Sequence, residues 1–306
     1  MLSYFQAIVI GLLQGVSELF PVSSLGHSVL VPALFGWHNL VGAQSADESF
    51  YLSFLVGLHV ATALALLVYF RQDWIRIVGG MLSSLRTRRI DTPDARLGWL
   101  MVVATIPVGV TGLLFEHPLR TLFAKPLAAG IFLTLNGVIL LAGERLRRRS
   151  AARSEARVLV GAGGPGDPGG ISGPSGSGAA GLDSLAPAEA TGIGAAQILA
   201  LFAGISRSGA TMVAGLLRGL DHEDAARFSF LLATPIILAA GLYKIPDLLG
   251  PLGDGIRPQM LVGSLCAAVA AYLSVRFLVR WFTTRTLTPF GIYCLVAGGL
   301  AVLRFH

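Results

Sequence analysis

The chain has 306 residues, 54% of them hydrophobic and 13% charged, with 23 Lys and Arg against 17 Asp and Glu. Soluble domains carry about 25% charged residues, so this composition excludes one and points to a polytopic membrane protein. Its apolar runs are continuous rather than alternating, which excludes a closed barrel and sets the expected fold class as all-α.

The first apolar region, 1–36, has no basic leader and no small-residue cleavage site, and is read as part of the mature fold. Pro21, Ser23, Ser24 and Gly26 interrupt it midway. A straight helix does not hold these four at its centre, so the expectation is helix, polar turn, helix: a re-entrant hairpin. Candidate transmembrane helices follow at 50–70, 97–115 and 127–143, each near the roughly 20 residues a crossing needs. Residues 144–190 open with an arginine-rich run and pass into a stretch with ten glycines between 161 and 181. That composition predicts a disordered linker, its arginines lying against anionic lipid head groups. A second interrupted region, 191–217, predicts a second re-entrant hairpin, followed by spans at 228–243, 258–275 and 286–303. Cys266 and Cys294 both fall in apolar spans, which argues against a disulfide framework or a thiolate metal site.

Segments 71–96, 144–190, 218–227 and 276–287 hold six, six, two and three arginines and no lysine. In a membrane protein such a bias marks cytoplasmic loops rather than a nucleic-acid partner. It requires the first hairpin to enter from the outside and the second from the inside. The halves 1–143 and 191–306 are then expected to form an inverted-topology repeat. A match at a constant offset of 183 residues supports this: Ile10/Ile193, Gly11/Gly194, Gln14/Gln197, Ser23/Ser206 and Gly26/Gly209. Inverted repeats built on broken helices place their functional site where the half-helix ends meet.

Two polar clusters fall at those matched breaks. Gln14 and Glu18, four apart, share a helix face; Ser23, Ser24 and His27 follow. The second cluster is Ser206, Arg207, Ser208 and Thr211. Together they offer a carboxylate, an imidazole, a guanidinium, hydroxyls and backbone N–H groups loosened by Gly26 and Gly209. Helix N-termini bind phosphate through such N–H groups, and arginine grips phosphate oxygens in pairs. Singly, each residue has a plain structural explanation; their coincidence at matched positions favours a site. His59, inside a span, is read as bonding a neighbouring helix in preference to bordering the site. His38, His117 and His222 fall in predicted loops, Asp221, Glu223 and Asp224 in a solvated turn, and Asp47 and Glu48 in an outer loop. No zinc spacing, Walker loop or dinucleotide fingerprint is present.

The stretch "LLQGVSELFPVSSLGHSVL" resembles the first signature of the undecaprenyl-diphosphate phosphatase family of bacitracin-resistance type, and "AGISRSGAT" resembles its second. The likeness covers nearly the whole chain apart from the linker. Two departures stand out: Gln14 occupies a position that is often glutamate, and Ala203 stands where the second signature usually has proline.

The resemblance implies an integral-membrane enzyme of the bacterial plasma membrane, its site opening to the outer, periplasmic-type face. It would hydrolyse a polyprenyl diphosphate, normally the C55 lipid, to the monophosphate, recycling the carrier for peptidoglycan synthesis. Carried over residue by residue, it makes Glu18, Ser24, His27 and Arg207 catalytic. Ser23, Gly26, Ser206, Ser208, Gly209 and Thr211 would bind substrate, and Gln14 with Glu18 would hold Mg²⁺ or Ca²⁺, which prefer oxygen ligands. Either Ser24 or His27 serves as nucleophile; the reading favours Ser24 assisted by His27, with Glu18 orienting His27 or binding the cation. A lipid flippase or anion transporter of the same architecture is the alternative. Oligomeric state is left open, a homo-oligomer included.

Overall fold

The computed structural model describes residues 2–44, 49–123, 125–161, 181–250 and 254–306. Asp47 and Glu48 lie outside them. The described residues form twelve α-helices with no strand: α1 (Tyr4–Ser17), α2 (Ser24–Leu34), α3 (His38–Gln44), α4 (Phe50–Tyr69), α5 (Arg71–Thr87), α6 (Pro93–Phe123), α7 (Pro126–Gly161), α8 (Pro187–Ala195), α9 (Arg207–Leu217), α10 (His222–Leu249), α11 (Arg257–Phe282) and α12 (Thr288–Phe305). Six of these helices, α4, α6, α7, α10, α11 and α12, are long and apolar enough to cross a membrane. The protein is a multi-pass membrane protein, and each expected span falls on one of these six.

The long helices outrun the apolar stretches that announced them, because charge marks the end of the hydrocarbon layer and not the end of a helix. Helix α7 runs through Gly161, so the opening of the expected linker is helical, and the boundary at 143 falls inside a helix. The glycine-rich run from 162 to 180 lies outside the described residues. The linker's last residues are also structured, as a 3₁₀ turn at Leu182–Ser184 and the start of α8. The expected loop 71–96 is largely α5, with Ile75, Val78, Leu82 and Leu85 exposed along it. His222 is buried at the start of α10. Its Nε2 lies 2.8 Å from Glu144 Oε2, so it is a packed partner of α7 rather than a loop residue.

Both interrupted regions are broken where the sequence placed the break. Helix α1 starts at a reciprocal cap, Ser3 with Gln6, and ends at Ser17; α2 starts at Ser24. Helix α8 tightens into 3₁₀ winding over Ala196–Leu201, and α9 starts at Arg207. Helix α1 packs against α11, α8 against α6, and α7 lies along α12. Small residues allow these approaches, as in other membrane bundles. A Cβ on Gly11 would strike the carbonyl of Gly263 in α11, and one on Gly194 would strike that of Ala104 in α6. Gly11 and Gly194 are matched at the 183-residue offset, and each meets the backbone of a neighbouring long helix.

Candidate active site

Glu18 continues the hydrogen-bond pattern of α1, its N–H reaching Gln14 O at 3.0 Å. That keeps the two side chains on one face, and Gln14 Nε2 donates to Glu18 Oε2 at 3.1 Å. The chain then turns through Pro21 to Ser23, a non-glycine residue held at φ 70°. Such a conformation is strained for an L-residue. It is held by two hydrogen bonds to Ser23 Oγ, from Gly26 N and from Gly204 N, both at 3.2 Å. The second reaches across to the other break. Ser206 caps α9 in the same way, accepting from Gly209 N at 3.1 Å.

Asn136 of α7, fully buried, ties the breaks together. Its Nδ2 donates to Pro21 O at 3.0 Å, and its Oδ1 accepts from Ser206 N at 3.0 Å. The N-termini of α2 and α9 are thereby fixed beside each other.

Glu18 is the centre of the arrangement. Arg207 Nη2 donates to its Oε1 at 2.8 Å, and Ser24 Oγ donates to its Oε2 at 2.5 Å. His59 Nε2 stands 3.3 Å from Oε2, its ring fixed by Nδ1 against Leu55 O at 2.8 Å. Burying charges carries a desolvation cost of several kcal/mol per ion, which Coulomb attraction and added hydrogen bonds must offset. Here a guanidinium, a hydroxyl, an amide and an imidazole share that role. Arg207 Nη1 is buried without a hydrogen-bond partner among the described residues. So are both ends of the Gln197 side chain, Nε2 and Oε1. Each such group costs about 1–3 kcal/mol when left unbonded.

These groups line a cavity of about 330 Å³, walled by Glu18, Ser24, His59, Gln197, Ser206 and Arg207 together with apolar side chains. An adjoining apolar cavity of about 640 Å³ shares Leu25, Val56, Val108, Leu201 and Ile236 with it. Gly109 and Gly112 of α6 line the second cavity, and a Cβ on either would meet only open space.

The expected residues do not all meet there. Glu18, Ser23, Ser24, Ser206 and Arg207 line the cavity; His27, Gln14, Gly26, Ser208, Gly209 and Thr211 do not. His27 Nδ1 lies 2.7 Å from Ser23 O, and Nε2 lies 2.8 Å from the Tyr293 hydroxyl. The expected Ser24–His27 and Glu18–His27 pairings are therefore replaced by Ser24–Glu18 and His27–Tyr293. Thr211 bonds Arg207 O at 2.7 Å and the Ser229 hydroxyl at 2.7 Å, while Ser208 bonds Ser206 Oγ at 3.0 Å. These side chains hold the scaffold. Gly26 is needed because a Cβ there would come within 2.8 Å of Gly204 Cα.

Among the described residues, no group of three or more His, Cys, Asp or Glu is placed to hold a metal ion. Among the described residues Glu18 is the only carboxylate lining the cavity, and both its oxygens already accept hydrogen bonds. A divalent cation would thus need most of its ligands from elsewhere. Sequence reasoning had assigned His59 to packing and had given no role to Asn136, Gln197 or Tyr293. For His59 the available signal was an ionisable residue within an apolar span, which by default is functional. Asn136 and Gln197 gave none, since neutral polar residues in such spans ordinarily bond across helices.

The family profile described as "Bacitracin resistance protein BacA" matches residues 7–300. The chain is 60% identical to "Undecaprenyl-diphosphatase 2" of Frankia alni, across 99% of this chain and 98% of the relative. It is 59% identical to "Undecaprenyl-diphosphatase" of Mycolicibacterium paratuberculosis, across 99% and 97%. With "Undecaprenyl-diphosphatase 2" of Chromobacterium violaceum the identity is 44%, across 97% of each chain.

Proposed function

The chain belongs to the BacA family of bacitracin resistance proteins, and from that membership we propose that it hydrolyses undecaprenyl diphosphate to the monophosphate and inorganic phosphate. The observation that carries the reading is Arg207, whose Nη1 is buried without a partner among the described residues and whose side chain lines, with Glu18, Ser24, His59 and Gln197, a cavity that adjoins a larger apolar one. A lipid diphosphate has the matching halves. Its phosphates fit against Arg207 and the N-termini of α2 and α9, whose free N–H groups favour anions. Part of its prenyl chain fits the apolar cavity.

In this mechanism Ser24 Oγ attacks the terminal phosphorus, and its proton passes to Glu18, already 2.5 Å away. Arg207 Nη1 stabilises the charge on the transferred phosphoryl group. The bond to the bridging oxygen breaks, and polyprenyl monophosphate leaves with the proton that Glu18 took up. Water then hydrolyses the phosphoserine, releasing inorganic phosphate and restoring Ser24. His27, turned towards Tyr293, positions the start of α2 through Ser23 O. A divalent cation is proposed to arrive chelated by the diphosphate and water, with Glu18 as its single protein carboxylate; no step above runs through it. The transporter alternative is not favoured, since the relatives carry the name of an enzyme.

The arginine distribution supports a plasma-membrane protein with its arginine-rich segments in the cytoplasm. The matched contacts of Gly11 and Gly194 with neighbouring long helices support an inverted repeat with two re-entrant hairpins. With that topology the pocket is proposed to open to the outer face.

The test is phosphate release from C55 diphosphate by purified protein in detergent, with and without EDTA. Release that EDTA suppresses and added Mg²⁺ or Ca²⁺ restores is expected. No release from folded, lipid-supplemented protein would overturn the reading. Gly109→Leu tests the tail cavity: KM for the C55 substrate should rise several-fold, while a short-chain prenyl diphosphate is turned over as before.

A further inference from the structure

Gln197 is 1% exposed, and among the described residues it is the only cavity-lining side chain with both a donor and an acceptor left unpartnered. Its repeat counterpart, Gln14, shows why. Gln14 donates to Glu18 four residues on, but the position four residues beyond Gln197 is Leu201, which accepts nothing. The segment carrying Gln197, Ala196–Leu201, is also wound as a 3₁₀ helix, which turns each residue about 20° further than an α-helix does. The wall beside it is apolar, with Val108, Ala200 and Ile236. Among the described residues no protein group bonds the amide.

A buried amide with both ends open is destabilising unless something absent from the free protein satisfies it. Arg207, whose Nη1 is the other orphan, lines the same cavity. We propose that Gln197 is a substrate-contacting residue: Nε2 donates to a non-bridging oxygen of the bound diphosphate beside Arg207 Nη1, and Oε1 accepts from a water in the same cavity. The contact rests on the phosphatase reading and adds to it a second donor for the phosphates, neutral and supplied by the other arm of the same break. Being uncharged, the amide discriminates by geometry.

The test compares wild type with Gln197→Met, which keeps the side chain's length without its polar ends, and with Gln197→Glu. KM for C55 diphosphate should rise about tenfold in the Met variant, equivalent to about 1.4 kcal/mol, and further in the Glu variant, where a carboxylate meets the phosphates. Binding is read separately, without turnover, as the rise in melting temperature on adding inorganic pyrophosphate. That rise should shrink in Gln197→Met, while the ligand-free variant melts at or above the wild type, because an unsatisfied amide has been removed. A Met variant with wild-type KM and a wild-type pyrophosphate shift overturns the proposal. So does one that melts below wild type with unchanged pyrophosphate affinity, which would mark a packing residue. If the wild type releases no phosphate, the phosphatase reading fails instead, and the pyrophosphate shift still decides whether Gln197 touches the anion.

Discussion

The break after α1 and the break before α9 share a scaffold and differ in chemistry. At each, a serine caps the following helix, Ser23 through Gly26 N and Ser206 through Gly209 N. At each, the tip presses on the other: Gly26 on Gly204, and Gly209 on Pro21, contacts that exchange under the 183-residue offset. The side chains around that frame do not exchange. Glu18 corresponds to Leu201, Ser24 to Arg207 and His27 to Ala210. One arm supplies the carboxylate and the hydroxyl, the other the guanidinium, and the 2.8 Å Glu18–Arg207 pair closes the site between them. A symmetric pair of breaks would put like charges together. Divergence at these positions puts opposite charges together and leaves one guanidinium nitrogen without a partner among the described residues.

The largest expected effect comes from removing that complementarity. Arg207→Ala should reduce kcat by about 10²–10³, the usual loss for one preorganised charge-stabilising donor. It should also lower stability, by less than the ~3–5 kcal/mol of a wholly uncompensated buried charge, because Glu18 loses its guanidinium and keeps Ser24, Gln14 and His59. The double variant Glu18→Gln with Arg207→Gln should recover much of the melting temperature and none of the phosphate release. Recovery of both would show that the pair is structural only.

Ser24→Ala probes the chemistry of the first arm alone. Loss of an attacking group with its base should lower kcat by at least about 10², within the range of positioned proton transfer. Rapid acid and base quenching with labelled substrate distinguishes the nucleophiles. An acid-stable phosphoserine is expected on wild type, whereas an acid-labile, base-stable adduct at His27 would displace Ser24 from the role.

The smallest effects test the shared frame. Gly26→Ala meets backbone, Gly204 Cα at 2.8 Å, whereas the nearest atom for Gly209→Ala is the movable Leu140 Cδ2 at 3.0 Å. Overpacking of the first kind costs about 1–3 kcal/mol, so Gly26→Ala should melt measurably lower than Gly209→Ala. Equal melting temperatures would show that the tips yield alike and that the contact asymmetry has no energetic weight.

All six crossing helices could be read from the amino-acid order, because burial in lipid demands some 20 apolar residues in a row. So could both breaks, because proline, serine and glycine in mid-helix leave backbone groups that must be satisfied elsewhere. Glu18, Ser24 and Arg207 were legible as charged or nucleophilic residues with no reason to be in an apolar segment. Who pairs with whom was not. His59 reaches Glu18 from α4, and Asn136 joins Pro21 to Ser206 from α7. These contacts cross 41 to 115 residues of chain, and their partners depend on how the helices pack, which hydrophobic periodicity does not encode. Tertiary structure alone turned His27 towards Tyr293 and left Gln197 without a partner. A hydrogen bond exists or fails over a few tenths of an ångström, a scale on which residue type is silent.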